Sequence, residues 1–452
     1  MNSSGETAAD QREHEFATLG YYEPGFIHLR INTHDDLKEL NKITEPDSSP
    51  LWTPTFLHEY IHFLQDITTT HGLLNFLHAV EHLKNANKKV LDATATYFSI
   101  PLNLDNDFNW QTNRRLKATY RGRVTPWGNR VPNINYLGYS FTNEQIPVNG
   151  GEIIKVPKYQ IQYYDTSAQS KSECHFGSIH IKEYMAHAVQ NQFAPGTTHD
   201  DLPYLVAELI VKKEVPSLGS NPSLVIALCD ASLMDFHPAR LFFDAIERMK
   251  NNSSQIPTDV DSIYSFVFNG LKFQANGVTQ TVKTCYEETS KLAVDAFQST
   301  LKAAIFKHNV QWFDELMVQA GNFRQNEQGF FSRLVTAPGM LSSTFRRIVT
   351  LLGVPFTTNA EFKGIFVPPE RLKGLAIQPY FPKVFQAVSN TYGGNYRCSL
   401  HPFCETSPVL NLTNEDCLTQ PWRRVHLPEL CPYAQMWKTW GLQKKLPKPS
   451  AE

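Results

Sequence analysis

The chain has 452 residues, 41% of them hydrophobic, and a formal net charge of -2 from 42 Lys and Arg against 44 Asp and Glu. That length buries a large core in two or three domains, and balanced charge without a long basic run leaves no electrostatic footprint for nucleic acid or an anionic membrane. No apolar run reaches bilayer length, Met1 to Asp10 has no signal-peptide core, and an odd count of seven cysteines suits a reducing compartment, so a cytoplasmic protein is expected.

Residues 1 to 20 read as a flexible tail, Gly25 to Ile31 as the first strand, and Ile43 to Pro54, with Pro46, Pro50 and Pro54, as a turn-rich connection. Residues 55 to 92 are helical in character. They open with His58-Glu59-Tyr60-Ile61-His62, an H-E-x-x-H string whose chance count at this composition is roughly 0.03. Four residues advance a helix by slightly more than one turn, so His58 and His62 project from one face and can share an ion. Glu59 sits one position round, where its carboxylate can take a proton from a water that the metal activates and pass it to a leaving amine. Leu57, Ile61 and Leu64 supply apolar helical spacing, and Gln65 and Asp66 continue the His62 face as groups that could orient the ligands.

A second string, His78-Ala79-Val80-Glu81-His82, fits the inverted motif H-x-x-E-H. On one unbroken helix His58 and His78 would stand about 30 Å apart, too far to share a metal. The first string is preferred, with His78 and His82 read as a polar face among Leu74, Leu77 and Leu83. Thr68-Thr69-Thr70 before Gly72 reads as a helix ending, and a reversal there would make Glu81 a rival third ligand. From 97 to 165 the composition turns to Asn, Gly, Pro and aromatics, with strand-like runs at Tyr136 to Phe141, Glu152 to Val156 and Tyr159 to Tyr164. This region is expected to form one wall of a cleft, where a strand edge can hold an extended peptide.

Catalytic zinc needs a third protein ligand. Thr68 occupies the position where a metzincin has its third histidine. The stretch Gly177 to Gln190 reads as another helix, with Glu183, Ala186, His187 and Gln190 on one face. H-E-x-x-H followed at a distance by this E-x-x-A resembles the gluzincin arrangement of zinc metallopeptidases, over about residues 50 to 195. The resemblance implies a zincin-like unit in which Glu183 is the third ligand, Ala186 permits close helix packing, and the residue four after the Glu steadies a ligand histidine. That residue is His187 here, where the family has Asp. His180, His187 and Tyr184, or a Tyr from the 97 to 165 region, are candidates for a further donor, with Asp66 as a supporting group.

Beyond Cys174 helices dominate: Leu202 to Lys213, Pro222 to Leu233, Pro238 to Asn251, Val260 to Phe273, Val278 to Val318, and Ser332 to Leu352 with an interruption at Pro338-Gly339, then a Pro-rich passage from Val354 to Pro382. Cys398, Cys404, Cys417 and Cys431 crowd the end of the chain, with His401 and His426 among them. Convergence of at least three thiolates, with a histidine replacing a missing one, would give a structural zinc site or an iron-sulfur cluster that staples a small module; separate buried thiols are the alternative. Tyr433, Trp437, Trp440 and Leu442 read as an aromatic helix packed on that module.

The fold expected is α+β, mostly α: a tail (1–20), a zincin-like catalytic domain with an active-site helix and small sheet (21–200), a helical accessory region (201–390) and a Cys-rich module (391–452). The function expected is zinc-dependent hydrolysis of a protein or peptide, with Glu59 as base and His58, His62 and Glu183 as ligands. A regulatory partner on the helical region is a candidate interaction. An inactive or regulatory metal-binding protein and a hydrolase of small amides are the alternatives.

Overall fold

Pro54 sits in the first turn of helix α1 (Thr53–Thr68), where its missing N–H costs nothing, and every residue from Phe56 to Thr68 is buried. A computed structural model describes residues 19–449 apart from 24, 26, 43–51, 105–106, 124–130, 149–150, 197–198, 270, 276–277, 337–342, 379 and 408–411. The expected tail through residue 18, the connection from 43 to 51 and the interruption at Pro338-Gly339 lie outside the described residues.

The helical run from 55 to 92 is broken once. Thr69 is extended (φ -125, ψ 150), and its hydroxyl accepts from Gly72 N at 3.1 Å to start α2 (Thr70–Asp92). Gly72 is needed at that elbow, because a Cβ there would lie 2.3 Å from Asp66 Cα and 2.5 Å from Gln65 O. The N-terminal strand is a hairpin: β1 (Gly20–Glu23) pairs antiparallel with β2 (His28–Ile31), and only the second arm falls within the expected strand.

Next come β3 (Tyr97–Ile100) and α3 (Phe108–Arg121), a helix inside the region expected to be irregular. Its sequence is polar on most faces, and Asp107 starts it by accepting from Trp110 N at 3.0 Å. β4 (Ile134–Pro147), β5 (Ile153–Asp165) and β6 (Ser170–Phe176) form an antiparallel meander, so two expected strands merge across Pro157. Pro157 pairs with Asn143 of β4, whereas pairing with β6 starts at Tyr159. At Pro157 the strand therefore has one neighbour, and the absent N–H breaks no ladder bond.

The chain turns from β6 into α4 (Ser178–Phe193) at Gly177, where a Cβ would lie 2.4 Å from the backbone of Arg121 and Gly122. Helices then dominate: α5 (Val206–Glu214), α6 (Pro222–Ser232), α7 (Pro238–Asn251) and α8 (Val260–Phe268). A small hairpin, β7 (Phe273–Ala275) with β8 (Val278–Gln280), separates α8 from α9 (Val282–Thr300) and takes the last residue of one expected helical run and the first three of the next. α10 (Lys307–Asn326), α11 (Phe330–Thr336) and α12 (Ser343–Leu352) follow.

The Pro-rich passage contributes β9 (Val354–Thr358) and β10 (Gly364–Val367). β9 pairs parallel with β2, His28 opposite Phe356, giving a sheet ordered β1-β2-β9-β10. This sheet, and not the meander, lies on α1; the meander packs on α7 through Tyr139 and Tyr159, which stack on Phe243 at 4.2 and 4.7 Å. Thus the region expected to wall the cleft instead leads into α4, and the N-terminal hairpin flanks the H-E-x-x-H helix. Tyr60 Oη donates to Gly353 O at 2.7 Å, tying α1 to the turn before β9.

After α13 (Phe381–Tyr392) come α14 (His401–Thr406), α15 (Pro432–Thr439) and β11 (Leu446–Pro449), which pairs parallel with β3. Strand pairing thus joins residues on both sides of the expected boundaries near 200 and 390, and the buried apolar side chains from Tyr22 to Leu442 form one cluster. The architecture is α+β and mostly helical, with small sheets.

Candidate metal centre

α1 and α4 pack against each other, with Ala186 wholly buried. His58 and His62 project from one face of α1, their rings edge to face at 5.0 Å. Glu183 of α4 meets both: its Oε2 lies 3.2 Å from His58 Nε2 and 3.5 Å from His62 Nε2. One ligand atom from each of His58, His62 and Glu183 falls within 4.8 Å of the other two, and no other His, Cys, Asp or Glu group among the described residues does this.

The far side of each imidazole meets an amide oxygen. His62 Nδ1 lies 2.9 Å from Gln65 Oε1, and Gln65 Nε2 donates to Lys182 O at 3.0 Å, which sets the amide's orientation. His58 Nδ1 lies 3.0 Å from Gln190 Oε1. An amide oxygen only accepts, so each Nδ1 carries the proton and each Nε2 turns its lone pair toward Glu183. Two lone pairs and a carboxylate facing one point repel one another unless a cation or a proton lies among them. Burial alone would raise the Glu183 carboxyl, but the imidazoles, when protonated at Nε2 as well, outweigh it and hold it well below the usual carboxylate range.

Glu59 is buried beside this group. Burial raises its carboxyl to about 7, with His58 opposing the rise and Glu183 adding to it. Its neighbour across the interface is β1: the Tyr22 backbone hydrogen-bonds the carboxylate, and a Cβ on Gly20 would lie 3.4 Å from Glu59 Cγ.

Apart from Gln65, the supporting residues differ from those named by sequence. Gln190, seven residues after Glu183, holds His58, and it also accepts from His199 Nε2 at 3.1 Å. His187, the position of the family Asp, leaves Nδ1 buried without a hydrogen-bond partner and packs edge-on against His199 at 4.8 Å. Asp66 does not hold an imidazole; it accepts from Lys182 Nζ at 2.7 Å and so steadies the residue beside Glu183. His180 caps the start of α4, its Nδ1 accepting from Gly177 N at 3.2 Å. Tyr184 lines a cavity of about 430 Å³ on the next face of α4, with His187, His199 and Glu208.

Sequence reasoning missed Gln190 as a partner of His58, along with His199 and Tyr204, whose ring packs edge-on to His58 at 5.9 Å. Only Gln190 left a signal, since it shares the Glu183 face. Glu81, the rival ligand, pairs with Lys84 at 2.7 Å, and His82 stacks on Trp110 at 3.9 Å. No described helix is long and apolar enough to cross a membrane. No family model, curated protein or solved structure matches the chain.

Proposed function

We propose that this chain is a zinc-dependent peptidase acting on a protein or peptide in the cytoplasm. The observation that carries the reading is the convergence of Glu183, 125 residues beyond His58, on both imidazoles of the H-E-x-x-H helix. Two imidazoles and a carboxylate converging on one point would suit a zinc ion. Held by His58, His62 and Glu183, zinc would supply Lewis acidity for activating a water and polarising a carbonyl. Gln65 and Gln190 fix the imidazole tautomers that present Nε2. Glu59 takes the proton of the attacking water and delivers it to the leaving amine, which leaves the base as it began.

β1 is the outer strand of its sheet and lies on α1, which supports backbone pairing with an extended peptide beside Glu59. The cavity of about 430 Å³ beside His187 and His199 could take a substrate side chain. That cavity also favours the second reading, a hydrolase of small amides, because its volume falls in the range of small-molecule sites.

Glu59→Gln removes the base without removing a ligand. It is expected to keep the wild-type zinc content and fold while losing about two to four orders of magnitude in turnover. Mass-spectrometric metal analysis beside assays on an unfolded protein and on short amides checks this and separates the two readings. Wild-type turnover in Glu59→Gln refutes both.

A further inference from the structure

Four cysteines that the catalytic reading does not use come together at the other end of the chain. Cys398 follows α13, Cys404 lies in α14, Cys417 lies in the helical turn Asp416–Thr419, and Cys431 caps α15. Cys398 N donates to Cys417 O at 2.8 Å, which joins two of the segments. All four cysteines are buried, none forms a disulfide, and all four line one cavity of about 10 Å³.

That volume holds about one water-sized sphere, too little for the atoms of an iron-sulfur cluster. Water suits it poorly, since the rest of the wall is mostly apolar, including Leu400, Leu412 and Pro432, and a buried water needs two to four polar partners. A single soft cation suits four sulfurs around one atom-sized space.

Arg424 supplies an independent observation. It is 4% exposed, its Nε is buried without a hydrogen-bond partner, and no carboxylate pairs with it among the described residues. Its charge acts on both Cys404 and Cys417. An unpaired buried cation is strongly disfavoured, and neutral thiols offset little of that cost. Four thiolates around a divalent ion carry a net charge of -2, which does.

We propose that Cys398, Cys404, Cys417 and Cys431 bind one structural zinc ion, with Arg424 balancing the charge. Binding breaks four S–H bonds, forms four Zn–S bonds and releases four protons, with no change of oxidation state. No three of these sulfurs lie within 4.8 Å of one another among the described residues, whereas zinc-sulfur bonds of about 2.3 Å place sulfurs about 3.8 Å apart. At least one separation among any three of these sulfurs therefore shortens by about 1 Å or more on binding. His401 lines the same cavity but is not needed as a ligand, and His426 is exposed and does not line it.

The test uses the full chain with His58→Ala and His62→Ala, so that its outcome is independent of the peptidase reading. This variant is expected to retain about one equivalent of zinc, and adding Cys398→Ser and Cys431→Ser is expected to remove it. Should the cysteine variant fail to fold, cobalt substitution of the histidine variant is expected to give the strong near-ultraviolet thiolate-to-cobalt absorption of a tetrahedral site. A folded histidine variant without zinc, a cobalt spectrum without that absorption, iron with acid-labile sulfide, or a disulfide among the four would overturn the proposal.

Discussion

Gln190→Leu tests the support of the proposed metal centre where the structure departs from the gluzincin pattern that the sequence resembles. In the wild type Gln190 Oε1 accepts from His58 Nδ1 at 3.0 Å and from His199 Nε2 at 3.1 Å, with Gln190 4% and His58 7% exposed. Leucine fills similar volume and offers no acceptor, so the Nδ1–H of His58 stays buried and unpaired, at about 1–3 kcal/mol. The imidazole can recover part of that cost by turning or by moving its proton to Nε2, and either change withdraws the lone pair from the metal. Zinc affinity is expected to fall about 10- to 100-fold, or about 1.4–2.8 kcal/mol. Gln190→Glu keeps an acceptor and adds charge, and is expected to bind zinc at least as tightly as the wild type. His187→Phe, at the family's position, is expected to leave affinity near wild type. Competition against a chromophoric chelator measures all three, with His58→Ala/His62→Ala giving the contribution of other sites. Wild-type affinity in Gln190→Leu together with a tenfold loss in His187→Phe would refute the reasoning.

Two further perturbations read the scaffold. Burial holds His28, His175 and His237 down to about 4 and His71 down to about 3, against the ordinary 6.5. The unfolded chain then binds protons that the folded chain refuses, so this stability is fully present above pH 6.5 and is lost as pH falls toward 4. At about 1.4 kcal/mol per proton and pH unit, four such groups remove on the order of 5 kcal/mol per unit, against a total of about 5–15. An acid-unfolding midpoint above about pH 4 by circular dichroism is expected, and full stability at pH 3.5 would contradict it. Gly72→Ala drives a methyl into the backbone of Gln65 and Asp66, and is expected to cost about 1–3 kcal/mol and to weaken zinc binding by shifting Gln65. A denaturant midpoint matching wild type would show that the elbow tolerates the methyl.

Local chemistry made part of the fold readable. The elbow between α1 and α2 follows from three threonines and a glycine, all acting within five residues, and α4 follows from helical spacing. What escaped was non-local or weakly patterned. β1 is four residues, Gly-Tyr-Tyr-Glu, too short to alternate, and it exists because β2 pairs with it. β9 lies in a passage whose prolines argue against a strand, yet its parallel register with β2 bridges more than 300 residues, as the contact of His28 Nε2 with Thr358 Oγ1 at 3.0 Å illustrates. No periodicity within either segment encodes that pairing.

The same division runs through the candidate site. H-E-x-x-H is a statement about one helix face, so the partnership of His58 and His62 is contained in its five residues. Glu183, His187 and Gln190 also share a face, but spacing alone does not say which of them reaches an imidazole. That depends on where α4 crosses α1, which the buried Ala186 and the Lys182 link to Asp66 help to set. With Glu183 opposite both Nε2 atoms, the next residue able to reach the back of His58 is nearly two turns on, at Gln190, and His187 turns toward His199 and the cavity. The spacing of the resembled family places Glu183 opposite both imidazoles, because a shared ligand must meet the histidines directly. The residue behind His58 has only to offer an acceptor, and a glutamine one turn further along the same face meets that requirement.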